Sequence, residues 1–122
     1  IVLSLIMTTQ ALADVKGLVC VDNDNYYIFY LIDVDREKIS YTNQSQEAWS
    51  STKLVKSSLT ILKWKEGTIP VWTINLHREK LIMMKRESSG KSLEFQCSVR
   101  TRDETIEGHE LATEEQRKRN KI

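Results

Sequence analysis

The sequence predicts an all-β fold: a small antiparallel β-barrel or sandwich of seven to eight strands, closed by one disulfide and followed by a polar C-terminal tail. Short runs of β-branched and aromatic residues recur at even spacing and are separated by turn residues. Cys20 and Cys97 lie in the first and last of these runs, so a bond between them would join the two ends of the sheet. Because closure removes exposed sheet edges, we favour the barrel.

The first 13 residues predict an exported chain. Residues 1–13 contain an apolar run, a polar break, and then Ala11 and Ala13 on either side of Leu12. This pattern is typical of the apolar region and cleavage site of a signal peptide, here without its charged front. A membrane anchor extended upstream and a first core strand are the alternatives. Cleavage after Ala13 predicts a secreted or periplasmic protein, and an oxidising compartment favours the disulfide between Cys20 and Cys97.

The first half of the domain predicts three strands and a loop. Residues 17–22 form the first strand, and a turn of alternating Asp and Asn follows them. Residues 26–33 are apolar on both faces, which is typical of a strand covered on both sides. Residues 38–42 return as the second arm of a hairpin. Residues 43–52 are polar except for an Ala-Trp pair, and they predict a long loop or a short helix.

The second half predicts further strands over residues 53–55, 59–65, 71–76, 80–85 and 93–100. The last of these has the clearest pattern, because four apolar residues alternate with polar ones and so share a buried face: Leu93, Phe95, Cys97 and Val99. Cys97 is therefore predicted to point inward. A bond to Cys20 would close a long loop, which is worth on the order of 4 to 5 kcal/mol in the chain-entropy model.

The last twenty residues differ from the domain before them. We place a single β domain over 14–102 and a partly helical or disordered tail over 103–122. The tail has too few apolar residues to bury one face of a helix. Thr113 and Gln116 have the spacing of a capping box, which predicts a short helix that frays in water.

Charge and composition exclude several classes of partner. The formal net charge is +1, and the sequence has no basic stripe of the kind that binds nucleic acid or anionic lipid. The expected partner is an extracellular or periplasmic protein, with no nucleic acid and no membrane span in the mature chain. The predicted signal peptide and the predicted disulfide both indicate a secreted or periplasmic protein.

Few residues have the pattern of a reactive site. Of the two histidines, His77 lies in a predicted turn and His109 in the polar tail. We predict no catalytic residue, no metal site and no cofactor, and a small hydrolase using His77 is an alternative. The Asp-rich runs 22–24 and 33–35 lack the Gly and Glu of a calcium loop, so turn formation explains them better.

Trp49 and His77 are the candidate contacts with a partner. Trp49 lies in the polar 43–52 segment, where its ring would either cover the end of the barrel or contact another protein. Asn43 begins a glycosylation sequon in the same segment.

These observations together favour a non-catalytic binding or interaction module, inhibitor-like or protein-binding. The layout, a small exported domain with its first and last strands joined by a disulfide, resembles bacterial lysozyme inhibitors and small lipocalin-like proteins. The likeness is architectural, and no functional residue is transferred from either family. It also implies an alternative function, a small-ligand carrier with a lipocalin-like apolar cavity walled by residues 26–32.

Overall fold

A computed structural model describes residues 15–120, and its eight strands form one closed antiparallel barrel. The predicted barrel is confirmed. The signal peptide predicted over residues 1–13 lies outside the described residues. The elements in chain order are β1 (Val15–Val21), β2 (Tyr27–Asp33), β3 (Lys38–Asn43), β4 (Ser50–Ser57), β5 (Ile61–Glu66), β6 (Trp72–His77), β7 (Ile82–Glu87), β8 (Ser92–Arg100) and α1 (Arg102–Arg119).

The barrel closes where β1 pairs with β8. Cys20 lies directly opposite Cys97 in this pairing, and the two form the predicted disulfide with a Cα–Cα distance of 4.0 Å. Cys20 is fully buried and Cys97 packs against the core from the inner face of β8, as the alternation of that strand predicts. The bond links positions 77 residues apart and therefore stabilises the closed sheet against the unfolded chain.

The two ends of the barrel carry different loops because consecutive strands run in opposite directions. We call the end that carries loops 22–26, 44–49, 67–71 and 88–91 the upper mouth. The lower mouth carries loops 34–37, 58–60 and 78–81, together with the start of β1 and the end of β8. Between the mouths, alternate residues of each strand point inward. Large side chains without solvent exposure fill the centre: Tyr30, Ile39, Trp64, Ile74 and Met83.

The prediction of a loop or short helix over residues 43–52 is wrong at both ends, because Asn43 belongs to β3 and residues 50–52 belong to β4. A loop covers only residues 44–49, and β4 begins at Ser50, which pairs with Tyr41 of β3. Ser50 and Ser51 are exposed, so this part of the strand has no hydrophobic face that a sequence pattern could reveal. Backbone pairing with β3 holds it in place.

The C-terminal tail also differs from its prediction. It contains a continuous 18-residue helix, α1, whose capping box is Thr101 with Glu104 and not Thr113 with Gln116. The Thr101 backbone N–H donates to the Glu104 carboxylate at 3.0 Å, and this bond lowers the pKa of Glu104. The helix packs against β1 and β2 through Thr105, His109 and Thr113, which are buried and four residues apart. Polar side chains therefore form the packed face that the apolar pattern did not show.

Gly17 allows α1 to lie close to β1. A Cβ atom at this position would overlap Thr105 Oγ1 and would lie 2.7 Å from the Thr101 carbonyl oxygen. A larger residue would push the first turn of α1 away from the barrel.

Candidate functional site at the two barrel mouths

The upper mouth holds a buried carboxylate with a full set of partners. Glu66 points inward from the end of β5, and its Oε2 accepts hydrogen bonds from the Tyr30 hydroxyl and the Trp64 indole, both at 2.8 Å. Its Oε1 lies 3.3 Å from Lys85 Nζ on β7. The ammonium group also lies 5.4 Å from the centre of the Trp72 ring. Both charges of the upper mouth are therefore satisfied within the barrel.

Tyr30 responds to this environment. Burial raises the pKa of its phenol well above the ordinary value, and the negative charge of Glu66 raises it further. The phenol therefore stays protonated and remains a hydrogen-bond donor to Glu66. A cleft of about 400 Å³ lies above this network, lined by polar groups that include Asn43, Gln46 and Ser50 and by apolar groups that include Ile28 and Trp72.

The lower mouth differs in the residues at the base of its cleft. A cleft of about 380 Å³ opens there, and its innermost surface consists of aliphatic side chains that belong to the barrel core: Leu18, Ile32, Leu62 and Leu76. Val34 and Leu81 from the lower loops line its sides. Burial of such a surface by an apolar molecule is favourable because it removes hydrocarbon from water.

Charged residues lie around this apolar cleft. Lys16 precedes Leu18 by two residues on the inward face of β1, and Arg78 follows Leu76 by two residues just beyond β6. Asp35 is the only carboxylate among the lining residues of the described cleft. Within residues 15–120, neither Lys16 nor Arg78 forms an ion pair.

Backbone groups hold Arg78 at the edge of the cleft. Its guanidinium Nη1 donates to the Ser58 carbonyl at 2.7 Å, and its backbone N–H donates to the Thr60 carbonyl at 2.8 Å. One of the five guanidinium N–H groups is used in this way, so the others remain available to a ligand.

Trp49 contacts the protein's own helix. Its ring meets the ring of His109 edge to face, with 5.3 Å between centroids, and Phe29 meets the same imidazole at 5.4 Å. His109 Nε2 lies 2.6 Å from the Gln46 carbonyl oxygen. Sequence reasoning placed His109 in a solvated tail, and the structure instead buries it between α1 and loop 44–49.

His77 lies at the other end of the barrel from Trp49. It ends β6, and its Nδ1 accepts a hydrogen bond from the Lys80 backbone N–H at 3.1 Å across the lower turn. In the part of the chain that the structure describes, no hydroxyl or carboxylate bonds to its ring. The structure therefore does not bring Trp49 and His77 together on one surface, and their contact with a partner stays a prediction.

The Asp-rich runs form turns. Asp22 Oδ1 accepts the backbone N–H groups of Asp24 and Tyr26, both at 2.9 Å, and Asp33 Oδ1 accepts that of Arg36 at 3.1 Å. Asn43 caps its own turn by accepting the Ser45 N–H at 2.9 Å. Across residues 15–120, no group of three or more His, Cys, Asp or Glu side chains is placed to hold a metal ion.

No helix between residues 15 and 120 has the length and apolar character needed to cross a bilayer. No protein-family model, curated protein or solved structure matches this chain. The geometry of the two mouths is therefore the basis for a functional proposal.

Proposed function

We propose that this protein is an exported, non-catalytic binding protein that holds a small apolar molecule in its lower mouth. The observation that carries the proposal is the open cleft lined by Leu18, Ile32, Leu62 and Leu76. An eight-stranded barrel is narrow enough to be filled by side chains or to hold one small ligand. Here the upper half is filled, and the lower cleft reaches four core residues that keep only 3 to 6% of their surface exposed.

The size of the cleft limits the ligand. A volume of about 380 Å³ lies near the lower end of the roughly 300 to 1,000 Å³ that is common for small-molecule sites. Tyr30 and Trp64 are fully buried above the aliphatic surface and block passage through the barrel. A ligand would therefore enter and leave by the lower mouth. Of the β2 residues expected to wall a cavity, Ile32 lines this cleft and Tyr30 bonds to Glu66.

A protein partner was the first expectation from the sequence, and the geometry favours a small ligand over it. The two candidate contacts, Trp49 and His77, lie at opposite ends of the barrel and each makes contacts within the chain. A protein that used both would have to span the length of the barrel. The lower cleft needs no such partner.

The proposed location is secreted or periplasmic, and the disulfide between Cys20 and Cys97 supports it because such bonds persist in oxidising compartments. Mass analysis of the exported protein, with and without reductant, tests this part. We expect an N-terminus at Asp14 and one disulfide. Two free thiols in the isolated protein would contradict the proposed location.

Ligand binding can be tested with a neutral apolar dye, N-phenyl-1-naphthylamine, whose fluorescence rises in apolar surroundings. Val34→Trp narrows the lower mouth, and Val71→Trp adds the same ring to a loop of the upper mouth as the matched control. We expect saturable binding to the unmodified protein and the control, and binding at least about tenfold weaker to Val34→Trp, since the large ring occupies the site. Absence of saturable binding, or equal binding by both variants, would overturn the proposal.

A further inference from the structure

We infer that the ligand of the lower mouth is an alkyl carboxylate, whose chain lies on the aliphatic surface and whose carboxylate meets Arg78 and Lys16. This inference rests on the proposed function and adds the chemical class of the ligand. It depends on the positions of the two cations, the small number of counter-charges, and the way in which Arg78 is held.

Strand register places both cations at the opening of the cleft. Leu18 and Cys20 are core residues of β1, so Lys16 occupies the next inward position towards the lower end, opposite Ile32 of β2. Ile74 and Leu76 are core residues of β6, and Arg78, the first residue of the lower turn after β6, lines the cleft. Two cations thus follow directly after apolar inward positions, where the surface of the cleft meets water.

Charge in the lower cleft is unbalanced. Two cations face one carboxylate, that of Asp35, among the residues that line it. The nearby carboxylate of Asp33 is already paired with Arg36 at 3.3 Å. In the upper mouth, by contrast, the inward cation Lys85 has an inward partner in Glu66. An anionic ligand would supply the negative charge that pairs with the cations of the lower mouth, as Glu66 does for Lys85 in the upper mouth.

Arg78 is the better placed of the two cations. Its bond to the Ser58 carbonyl restricts the guanidinium group without using its charge. A guanidinium held in this way can present two parallel N–H groups to a carboxylate. Lys16 is exposed and contributes a mobile positive charge. A carboxylate at this opening stays in contact with water, which avoids the large cost of burying an ion.

The experiment compares two ligands that have the same chain and different ends. Decanoate and 1-decanol, both below their aggregation limits, are used to displace N-phenyl-1-naphthylamine from the whole protein at neutral pH and low salt. We expect decanoate to displace the dye at about tenfold lower concentration, because hydrogen bonds to charged groups are the stronger ones. Decylamine should be the weakest of the three, since its cation meets two others.

Two variants that each remove one positive charge test which residues bind the carboxylate. Arg78→Gln should weaken decanoate displacement by about fivefold to tenfold, and Lys16→Gln by less, because a flexible exposed charge contributes less than a held one. Displacement by 1-decanol should not change in either. Lys80→Gln removes a cation from the same lower turn at a residue that does not line the cleft, and it is the matched control.

The outcomes separate this inference from the proposed function. If the dye binds and decanoate and 1-decanol displace it equally, or if Arg78→Gln changes neither, the carboxylate inference is wrong while the apolar site stands. If the dye does not bind and neither compound binds, the proposed function itself is wrong. If decanoate binds equally well to Val34→Trp, it binds outside the lower mouth, and the inference is overturned.

Discussion

The two mouths of the barrel differ in how they treat an inward-pointing cation. At the upper mouth, Lys85 meets Glu66, and the pair is enclosed by Tyr30, Trp64 and Trp72. At the lower mouth, Lys16 and Arg78 line the cleft, and neither forms an ion pair within residues 15–120. A cationic side chain therefore stabilises the fold at the upper mouth, whereas the cations at the lower mouth are available to bind a ligand. The difference lies in whether a neighbouring inward position supplies the opposite charge.

The largest expected effect on stability follows from removing the disulfide between β1 and β8, because this strand pair closes the barrel at both mouths. Replacement of Cys20 and Cys97 by Ser should lower the free energy of unfolding by about 4 kcal/mol, because a long loop is no longer closed in the unfolded chain. Urea denaturation measures the change. The unmodified protein in reductant is the control and should show the same loss. A loss below about 1 kcal/mol would mean that backbone pairing alone closes the barrel.

The contrast between the mouths predicts unequal costs for removing a charge. Glu66→Ala leaves the Tyr30 hydroxyl, the Trp64 indole and Lys85 without their acceptor, and should cost about 3 kcal/mol. Arg78→Ala at the lower mouth should cost less than about 1 kcal/mol of stability, because it removes one hydrogen bond from an exposed side chain.

Denaturant unfolding of these two variants side by side measures that contrast. Equal losses of stability in Glu66→Ala and Arg78→Ala would show that the two mouths do not differ in the way described here.

Helix α1 connects the two ends of the barrel, because it starts near the lower mouth and reaches loop 44–49 at the upper mouth. His109→Ala removes a buried hydrogen bond and two aromatic contacts, and should cost about 2 kcal/mol. Hydrogen exchange should then speed up in α1 before it does in the barrel.

His77→Ala, at the lower end, is the control for this change and should cost less than about 1 kcal/mol, since it removes one exposed turn bond. Unchanged exchange in α1 of His109→Ala would show that the helix is held by its other contacts.

The smallest effect concerns the phenol of the upper mouth. Tyr30→Phe should cost about 1 kcal/mol at neutral pH, the usual value of one hydrogen bond. The raised pKa of Tyr30 also predicts an alkaline effect, because the folded protein holds this proton more tightly than the unfolded chain does. That stabilisation is complete below pH 10.0, the ordinary value, and is lost as pH rises above it through the folded pKa.

Stability measured against pH tests this statement. Above pH 10.0 the free energy of unfolding should fall less steeply for Tyr30→Phe than for the unmodified protein. Tyr27→Phe removes an exposed phenol of the same strand and should keep the original slope. Identical slopes in all three proteins would contradict the assignment of the raised pKa to Tyr30.

The fold was largely predictable because its signals are local. Alternation in the last strand and the positions of Cys20 and Cys97 were sufficient to favour a barrel over a sandwich, and the structure has the closed barrel. Helix α1 was missed as a packed element because Thr105, His109 and Thr113 bury a face without apolar residues. The start of β4 at Ser50 was missed for a similar reason, since its serines are exposed and only backbone pairing defines the strand.

The candidate site was harder to predict than the fold. Lys16 and Arg78 lie 62 residues apart in the chain and approach the same cleft only through the register of the closed sheet. The depth of the cleft depends on how much of the barrel centre the side chains of Tyr30 and Trp64 fill. No local sequence pattern predicts that filling. Register could have pointed to the two cations once the inward positions of β1 and β6 were known.

The most direct test of the central claim, that the lower mouth holds the ligand, is a titration with decanoate followed by the methyl NMR signals of the protein. We predict saturable shifts for methyl groups on the aliphatic surface of the cleft, those of Leu18, Ile32, Leu62 and Leu76. Ile28, which lines the upper cleft, should not move. Shifts centred on Ile28, or no shifts at saturating decanoate, would contradict the claim.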